Sequence, residues 1–422
     1  MEGTDLRERL RRLGVYQGAR HLIPQPRRRA RPIEQLLPGE VIDTDLGPFF
    51  LHRQSYELLY RHGHHALADL LTHPAAVAAC LAHDERLATV DLRRAAFVDT
   101  ETTGLVGGTG TYTFLVGVGV FEGEQFTVHQ FFMRDYGEEP AQLCALGELL
   151  EGMEAVVSFN GKSFDLPLLE TRFLLAHQVP RLTGAPHLDL LPPARRVWKY
   201  RLDSCALSSL EAEVLGVRRS QEDVPGWLIP SLYMEYARTG DAREMPRVFY
   251  HNAQDILSLV TLTARLCSLL TSPPDESLPG EELYGLARLL QEAERLAEAE
   301  AAYAQAAQTC RLTQVREMAR RDLAYLLKRQ GRREEALPWW QQLAELDGAV
   351  YACEELAKHH EWHDVDLAQA LAWTQQGIAL AEAWPPGPQR REALAGLHHR
   401  RERLQRKLEL ADGTDDRLES RL

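Results

Sequence analysis

No apolar run in this 422-residue chain approaches the roughly 20 residues of a membrane span, so no membrane partner is expected. The first residues, "MEGTDLRERLRRLG", lack the apolar core of a secretory signal, and a cytoplasmic location is the expectation. Cysteine is scarce: six residues, at 80, 144, 205, 267, 310 and 353, with no C-x-x-C pair. That excludes a disulfide framework or a zinc ribbon and fits a reducing compartment. A basic excess is missing too. Lys and Arg total 48 against 61 Asp and Glu, for a net charge of −13. A protein coated in basic surface is excluded, although a local basic patch is enough to hold nucleic acid.

Local basic patches are present. Between Arg7 and Arg31 lie nine arginines and one acid, Glu8. The run "RRVWKYR" (195–201) interleaves four cations with Trp198 and Tyr200, a pattern that suits bases stacked beside phosphates. A solvated surface is the plain alternative for both. The 45% hydrophobic and 26% charged composition is that of a globular protein, long enough for two or three domains.

Residues 1–88 read as a basic arm followed by short helices. "LLPGEVIDTDLGPFFLHRQSY" is punctuated by Pro and Gly, and "LLYRHGHHALADLL" looks helical. His62, His64 and His65 are expected to be a surface cluster, for want of a spaced second ligand pair. From about 90 the pattern sharpens. "AAFVDT" is a short buried strand, and "TYTFLVGVGVFEG" and "EQFTVHQFFMRD" alternate as strands around a tight turn at 122–124. A helix, "EPAQLCALGELLEGM", precedes the buried strand "EAVVSFNG". The helix "FDLPLLETRFLLAHQ" and a short strand in "PHLDLL" follow, and the rest to about 271 is helical. The fold class is therefore α/β: three antiparallel strands, then β-α-β, with helices on the faces.

"TSPPDESLPGEE" reads as a linker over 272–282, separating two cores, so a chain ending near 272 should stay soluble. Beyond it, over 283–410, strand signals vanish. Leu-Ala pairs at 286, 323 and 356 open three similar helix-turn-helix units, the pattern of tetratricopeptide-like repeats that would offer a surface to a protein partner. A plain bundle of three hairpins is the alternative.

The stretch "AAFVDTETTGL" holds the chemistry. In a strand, Asp99 and Glu101 face the same side, at the point where "TTG" ends the strand. Two like charges so close repel unless a cation lies between them, and oxygen ligands suit Mg²⁺ or Mn²⁺. Alone, D-x-E is equally read as two exposed acids at a strand end. Asp165 follows a buried strand in "VSFNGKSFDLPLL". Asp255 sits on an amphipathic helix in "FYHNAQDILSLVTL", with His251 four residues earlier on the same face. Asp189 reads first as a structural acid capping the "PPARR" turn. The "GGTG" at 107–110 reads as a tight turn, because no helix follows it to cradle phosphate; a glycine loop that admits a nucleotide backbone closely is the alternative.

Together "FVDTETTGL", "SFNGKSFD" and "HNAQD" resemble the three motifs of the DEDD exonuclease superfamily, which has the ribonuclease-H-like fold. The resemblance covers roughly 90–270. More narrowly, "GGTGTYTFLVGVG", "FNGKSFDLPLLETR" and "EVLGVRRSQEDVPGWLIPSLYMEYARTGD" are similar to bacterial YprB-like proteins, some of which carry C-terminal tetratricopeptide repeats. The resemblance implies a nuclease domain over 89–271 in which Asp99, Glu101, Asp165 and Asp255 hold two ions, Mg²⁺ or Mn²⁺. The implied activity is 3′→5′ exonuclease on single-stranded DNA or RNA. A structure-specific endonuclease and an idle nucleic-acid scaffold are the alternatives. The fifth residue departs from the pattern: one exonuclease branch has Tyr four before the last Asp, the other His five before it. Here His251 is at four and Tyr250 at five. Position four keeps the side chain over Asp255 and five rotates it by about 140°, so His251 is read as the catalytic group that orients or deprotonates the water and Tyr250 as pointing to the core. Thr102, Asn160, Lys162, Arg195 and Arg196 are the residues expected to touch substrate.

Overall fold

The computed structural model describes residues 29–104, 110–179, 184–272 and 277–419, with side chains to residue 410. The basic arm as far as residue 28 and the glycines at 107 and 108 lie outside the described residues.

Strands β1 (Glu40–Thr44) and β2 (Gly47–Glu57) form a hairpin and join the central sheet. The reading of residues 1–88 as a basic arm followed by short helices is thereby corrected. Pro48 is tolerated because it precedes the paired run that begins at Phe50↔Phe132; there it faces only β1. The stretch expected to be helical is instead a small hairpin, β3 (Arg61–His62) and β4 (His65–Ala66), running into a 3₁₀ turn over Leu67–Thr72. Gly63 turns it at φ +67°, and a Cβ there would lie 2.1 Å from the Leu215 carbonyl oxygen. Of the three histidines expected at the surface, His64 is exposed and His65 half-buried, but the third is not at the surface. His62 is buried, with Nε2 2.7 Å from Ser258 Oγ.

After helix α1 (Ala75–Ala82) come the antiparallel strands β5 (Ala95–Thr102), β6 (Thr113–Glu122) and β7 (Gln125–Phe132). Gly123, at φ +58°, makes the β6–β7 turn. Helix α2 (Glu139–Glu151) leads to β8 (Ala155–Ser158), and α3 (Asp165–Leu175) leads to β9 (His187–Asp189). The sheet order is β1-β2-β7-β6-β5-β8-β9, with β5, β8 and β9 parallel. This is the mixed sheet that the sequence pattern predicts, widened by two strands. Helices α2 and α3 cover one face through Leu146, Leu169 and Phe173.

The opposite face packs on α7. Before it come α4 (Leu191–Trp198), a short α5 (Leu207–Leu210) that widens into a π turn at Glu211–Leu215, and α6 (Ile229–Thr239). Helix α7 (Met245–Thr271) is long and apolar enough to cross a membrane by length and composition, contrary to the expectation from the chain's apolar runs. Its most apolar window is 78% buried inside this fold, so it is the core helix of the domain.

Six further helices form three hairpins: α8 (Gly280–Glu292) with α9 (Leu296–Thr309), α10 (Thr313–Arg329) with α11 (Arg333–Glu345), and α12 (Val350–Trp362) with α13 (Leu367–Glu382). Helix α14 (Pro388–Glu419) packs on the last of them. The Leu-Ala pairs at 286, 323 and 356 are all buried on the first helix of a hairpin.

The two cores are not separate. Gly285 on α8 lies so close to α4 that a Cβ would stand 2.3 Å from the Val197 carbonyl oxygen. Glu282, 1% exposed at its side chain, pairs with Arg201 at 2.6 Å and Arg265 at 3.1 Å, while Arg196 pairs with Glu292. Trp198 is wholly buried, and Tyr200 packs 5.6 Å from Tyr284. The basic–aromatic run is thus the joint between sheet domain and hairpins, an amphipathic helix whose alternation matches that of a stacking surface. A chain stopped at residue 272 strips α8 from this joint, at about 1.5–3 kcal/mol for each large apolar side chain uncovered. It is expected to aggregate; a monodisperse monomer in light scattering would show that the joint is dispensable.

Candidate active site

Along β5, Phe97, Asp99 and Glu101 share the face that meets α7, while Thr100 turns to the other. The strand register slips between Glu101 and Thr102, a bulge that ends the pairing beside the acids. Asp99 lies opposite Gly117 of β6. A Cβ on Gly117 would stand 2.2 Å from Asn252 Oδ1, and one on Gly119 would stand 2.5 Å from Ile256 Cγ2. These glycines admit α7 to the sheet, and the room is filled by Asn252. Gln130 Nε2 donates to Asn252 Oδ1 and to the Phe249 carbonyl, both at 2.8 Å. That fixes the amide, so Asn252 Nδ2 donates to Asp99 Oδ2 at 2.8 Å. Asn252 is wholly buried, and sequence pattern alone did not single it out. Its signal was an amide on a helix face otherwise made of Phe249, Ala253 and Ile256. Gly117→Ala is expected to push Asn252 off Asp99, costing roughly 1–3 kcal/mol in stability as an overpacked site, and to lower activity with it. Thermal melting and a nuclease assay on the same preparation check both.

Asp165 opens α3. The loop before it is tied by Asp189, which accepts from the backbone N–H of Asn160 (2.8 Å), Lys162 (3.2 Å) and Leu191 (3.0 Å). Asn160 takes the left-handed conformation, φ +66°, that this turn needs. Asp165 then accepts from Thr100 Oγ1 at 2.5 Å. Asp189 works as an organiser of the loop.

On α7, Asp255 and His251 stand one turn apart, with His251 Nε2 3.5 Å from Asp255 Oδ2. His251 Nδ1 lies 2.8 Å from Asp223 Oδ1 and 3.1 Å from Arg219 Nη1. In the tautomer with Nδ1–H, that hydrogen is donated to Asp223 and the Nε2 lone pair faces Asp255; in the other, Nδ1 accepts from Arg219 and Nε2–H faces Asp255. Tyr250 does not enter the core: half-buried, its hydroxyl accepts from the Ser220 backbone N–H at 3.0 Å and anchors the 219–223 loop.

Arg219 on that loop was also missed, because "GVRRSQED" reads as ordinary surface. It donates to Asp255 Oδ1, and to Glu211 from Nε (2.7 Å) and Nη2 (2.6 Å). Behind it Ser258 Oγ donates to Glu211 at 2.5 Å, and His62 completes the row. Burial opposes the guanidinium charge, but Asp255 and Glu211 outweigh it and raise its pKa.

Burial, then the charges of Asp255 and Asp165, hold the Asp99 carboxyl well above its usual range. Glu101 is raised likewise by burial and then by Asp99, Asp255 and Asp165. Asp165 is pushed up to about 6, chiefly by burial, against the hydrogen bond from Thr100. Glu101, 9% exposed, has no hydrogen-bond partner among the described residues. No group of three or more His, Cys, Asp or Glu side chains among the described residues is arranged to hold a metal ion as it stands. The donors still fit one in kind: oxygen acids, crowded and mutually destabilised, with one carboxylate orphaned.

The substrate residues named from the sequence are scattered. Thr102 is buried, its hydroxyl spent on the Gly104 carbonyl at 2.7 Å. Asn160 and Lys162 are exposed on the loop before Asp165, and Arg195 is exposed on α4. Arg196 faces Glu292 of α8. Its expected substrate contact is corrected accordingly.

A mixed sheet with acids at the end of its central strand and a crossing helix defines a ribonuclease-H-like protein. Residues 96–267 match the RNase_H superfamily family RNase_H_2. More narrowly, the chain is 32% identical over 299 residues to protein YprB of Bacillus subtilis (strain 168), covering 68% of this chain and 69% of that protein. The chain belongs to that family. Its ribonuclease-H superfamily domain supports nuclease-type activity and implies nucleic-acid binding.

Proposed function

We propose that the protein is a metal-dependent nuclease of the DEDD type, trimming single-stranded DNA or RNA from the 3′ end. The observation that supports this is a set of four acids from three elements, three of which have raised pKa values and form no ion pair among the described residues, the charge of Arg219 offsetting the crowding only in part. Asp99, Glu101, Asp165 and Asp255 would hold two Mg²⁺ or Mn²⁺ ions, which supply charge neutralisation at the phosphoryl group and a more acidic water. The chain does the rest. Asn252 holds Asp99 and Thr100 holds Asp165, each in one rotamer. His251 Nε2 accepts the proton of the attacking water, with its tautomer set by Asp223. Lys162 and Asn160 steady the phosphate from the loop before Asp165. The nuclease unit then comprises residues 89–271 with β1 to β4 added. The hairpins over 283–410, read as tetratricopeptide-like repeats, form a second binding unit.

The test is digestion of end-labelled single-stranded, duplex and hairpin DNA and RNA with Mg²⁺ or Mn²⁺, with Asp99→Asn as the blank. A ladder shortening from the 3′ end supports the reading. Internal cuts at a junction would make the protein a structure-specific endonuclease instead. The pairing of Arg219 with Asp255 favours a second reading, a scaffold that binds without cutting. Calorimetric titration with Mn²⁺ against an Asp99→Ala reference separates the two.

A further inference from the structure

In the second and third hairpins, a cavity of about 290 Å³ opens between α10, α11, α12 and α14. Its floor is Trp340, 3% exposed, and its wall is Trp362, 59% exposed. Two carboxylates, the half-buried Glu355 and the buried Glu361, carry the charge around it. Glu355 takes Lys328 and, at 2.8 Å, Lys358. Glu361, with a wholly buried side chain, takes Arg400 (3.0 Å), Arg403 (2.6 Å) and Lys407 (2.9 Å). Arg333 on the rim pairs with no acid among the described residues. Asp364 nearby is engaged by His359 at 3.2 Å and His360 at 2.8 Å. With Asp364 counted, six cations stand over three carboxylates, in a chain whose net charge is −13.

We infer that this pocket is a docking site for single-stranded nucleic acid. The charge surplus calls for a polyanion, and the indole decides which kind. Lys407 Nζ lies 4.3 Å and Arg403 Cζ 5.6 Å from the centre of the Trp362 ring. The cations thus sit beside an indole that is still 59% exposed. A base stacks on such a face while its phosphates meet the surrounding guanidinium and ammonium groups. An acidic peptide would satisfy the cations but leave the indole in water. Glu355 and Glu361 act as anchors, holding five long side chains in place before any ligand arrives. The inference rests on the nuclease reading only for the source of the polyanion; the pocket itself is independent of the carboxylates on β5.

The experiment uses the full chain in EDTA, so that no strand is cut. Fluorescence anisotropy of labelled oligothymidylate and oligouridylate, each of about 20 nucleotides, is recorded over a salt series. Trp362→Ala is expected to weaken binding at least about fivefold, the low end for removal of one stacked base. Arg333→Glu is expected to flatten the log–log salt slope by about 0.7 for each phosphate that is no longer neutralised. Both residues are exposed, and a melting curve verifies the fold. Unchanged affinity and slope in both variants would overturn the assignment. So would tighter binding of polyglutamate than of either oligonucleotide, weakened by the same substitutions, because that would mark a peptide site. If EDTA binding behaves as expected while no strand is cut in Mn²⁺, the nuclease reading fails and the pocket stands.

Discussion

Asp99→Asn is expected to abolish hydrolysis and, without metal, to make the protein more stable. The loss should exceed about 100-fold, because even the outer hydrogen-bond partners of metal ligands are worth 10–100-fold. The gain follows from the crowd of acids. Burial and the charges of Asp255 and Asp165 raise the Asp99 pKa in the folded protein. The native state then binds more protons than the unfolded chain across the window above the usual Asp value, and stability falls as pH rises through it. Asparagine keeps the shape and has no such penalty. The melting temperature of the variant minus that of the parent, in EDTA, should therefore grow as pH rises above the usual Asp range. His62 and His187, whose pKa values burial lowers to about 4, push stability the other way, but both proteins contain them and they cancel in the difference. Mg²⁺ should stabilise the parent and hardly affect the variant. Retention of most activity by Asp99→Asn would remove the four-acid site, and a difference flat in pH would show that the acids do not repel.

What could be read from the sequence is what local patterning controls. The β5–β6–β7 meander was legible because apolar alternation and the Glu122-Gly123-Glu124 turn agree. Asp99 and Glu101 stood out because carboxylates interrupt an apolar strand. Asp165 and Asp255 stood out in the same way. The β1–β2 hairpin was hidden, since Gly39, Gly47 and Pro48 look like loop chemistry until the partner strand β7 is known. His62 looked like surface because its partner, Ser258, lies 196 residues away. The run 195–201 shows the limit of pattern most clearly. Alternating cations and aromatics serve a stacking surface and a helix–helix joint equally well, and only Gly285 and Glu282 on the facing helix settle which one forms here.

The residues around the acids were the least legible, because each matters through one distant contact. Asn252 is one polar residue on a core helix, and its role depends on the absence of a side chain at Gly117. Arg219 and Asp223 sit in a polar loop. What makes them part of the site is Tyr250, which fastens the loop through Ser220, and Glu211, a buried acid that needs a cation. The reading of Tyr250 from helical angle alone sent it to the core. The angle places it away from Asp255 correctly, but the loop and not the core lies on that side.

That loop sharpens what the exchanged pair should do. His251→Ala is expected to lose roughly 10²–10⁴-fold in rate, the contribution of a positioned proton acceptor. Asp223→Asn should also be damaging, since an amide can donate to Nδ1 and so turn the imidazole to the tautomer whose Nε2 carries the proton. Tyr250→Phe leaves the Ser220 N–H without its acceptor, a net hydrogen bond worth about 0.5–1.5 kcal/mol. Its effect should be felt as a loosened loop, a drop of about tenfold or less, and not as loss of the chemical step. All three are compared on one substrate, with Mn²⁺ occupancy titrated for each, because a missing ion would imitate a missing base. A crippled Tyr250→Phe beside a healthy His251→Ala would move the proton acceptor from the imidazole to the loop side. Equal, small losses in both would mean that neither side chain meets the water, leaving the acids alone to carry the chemistry.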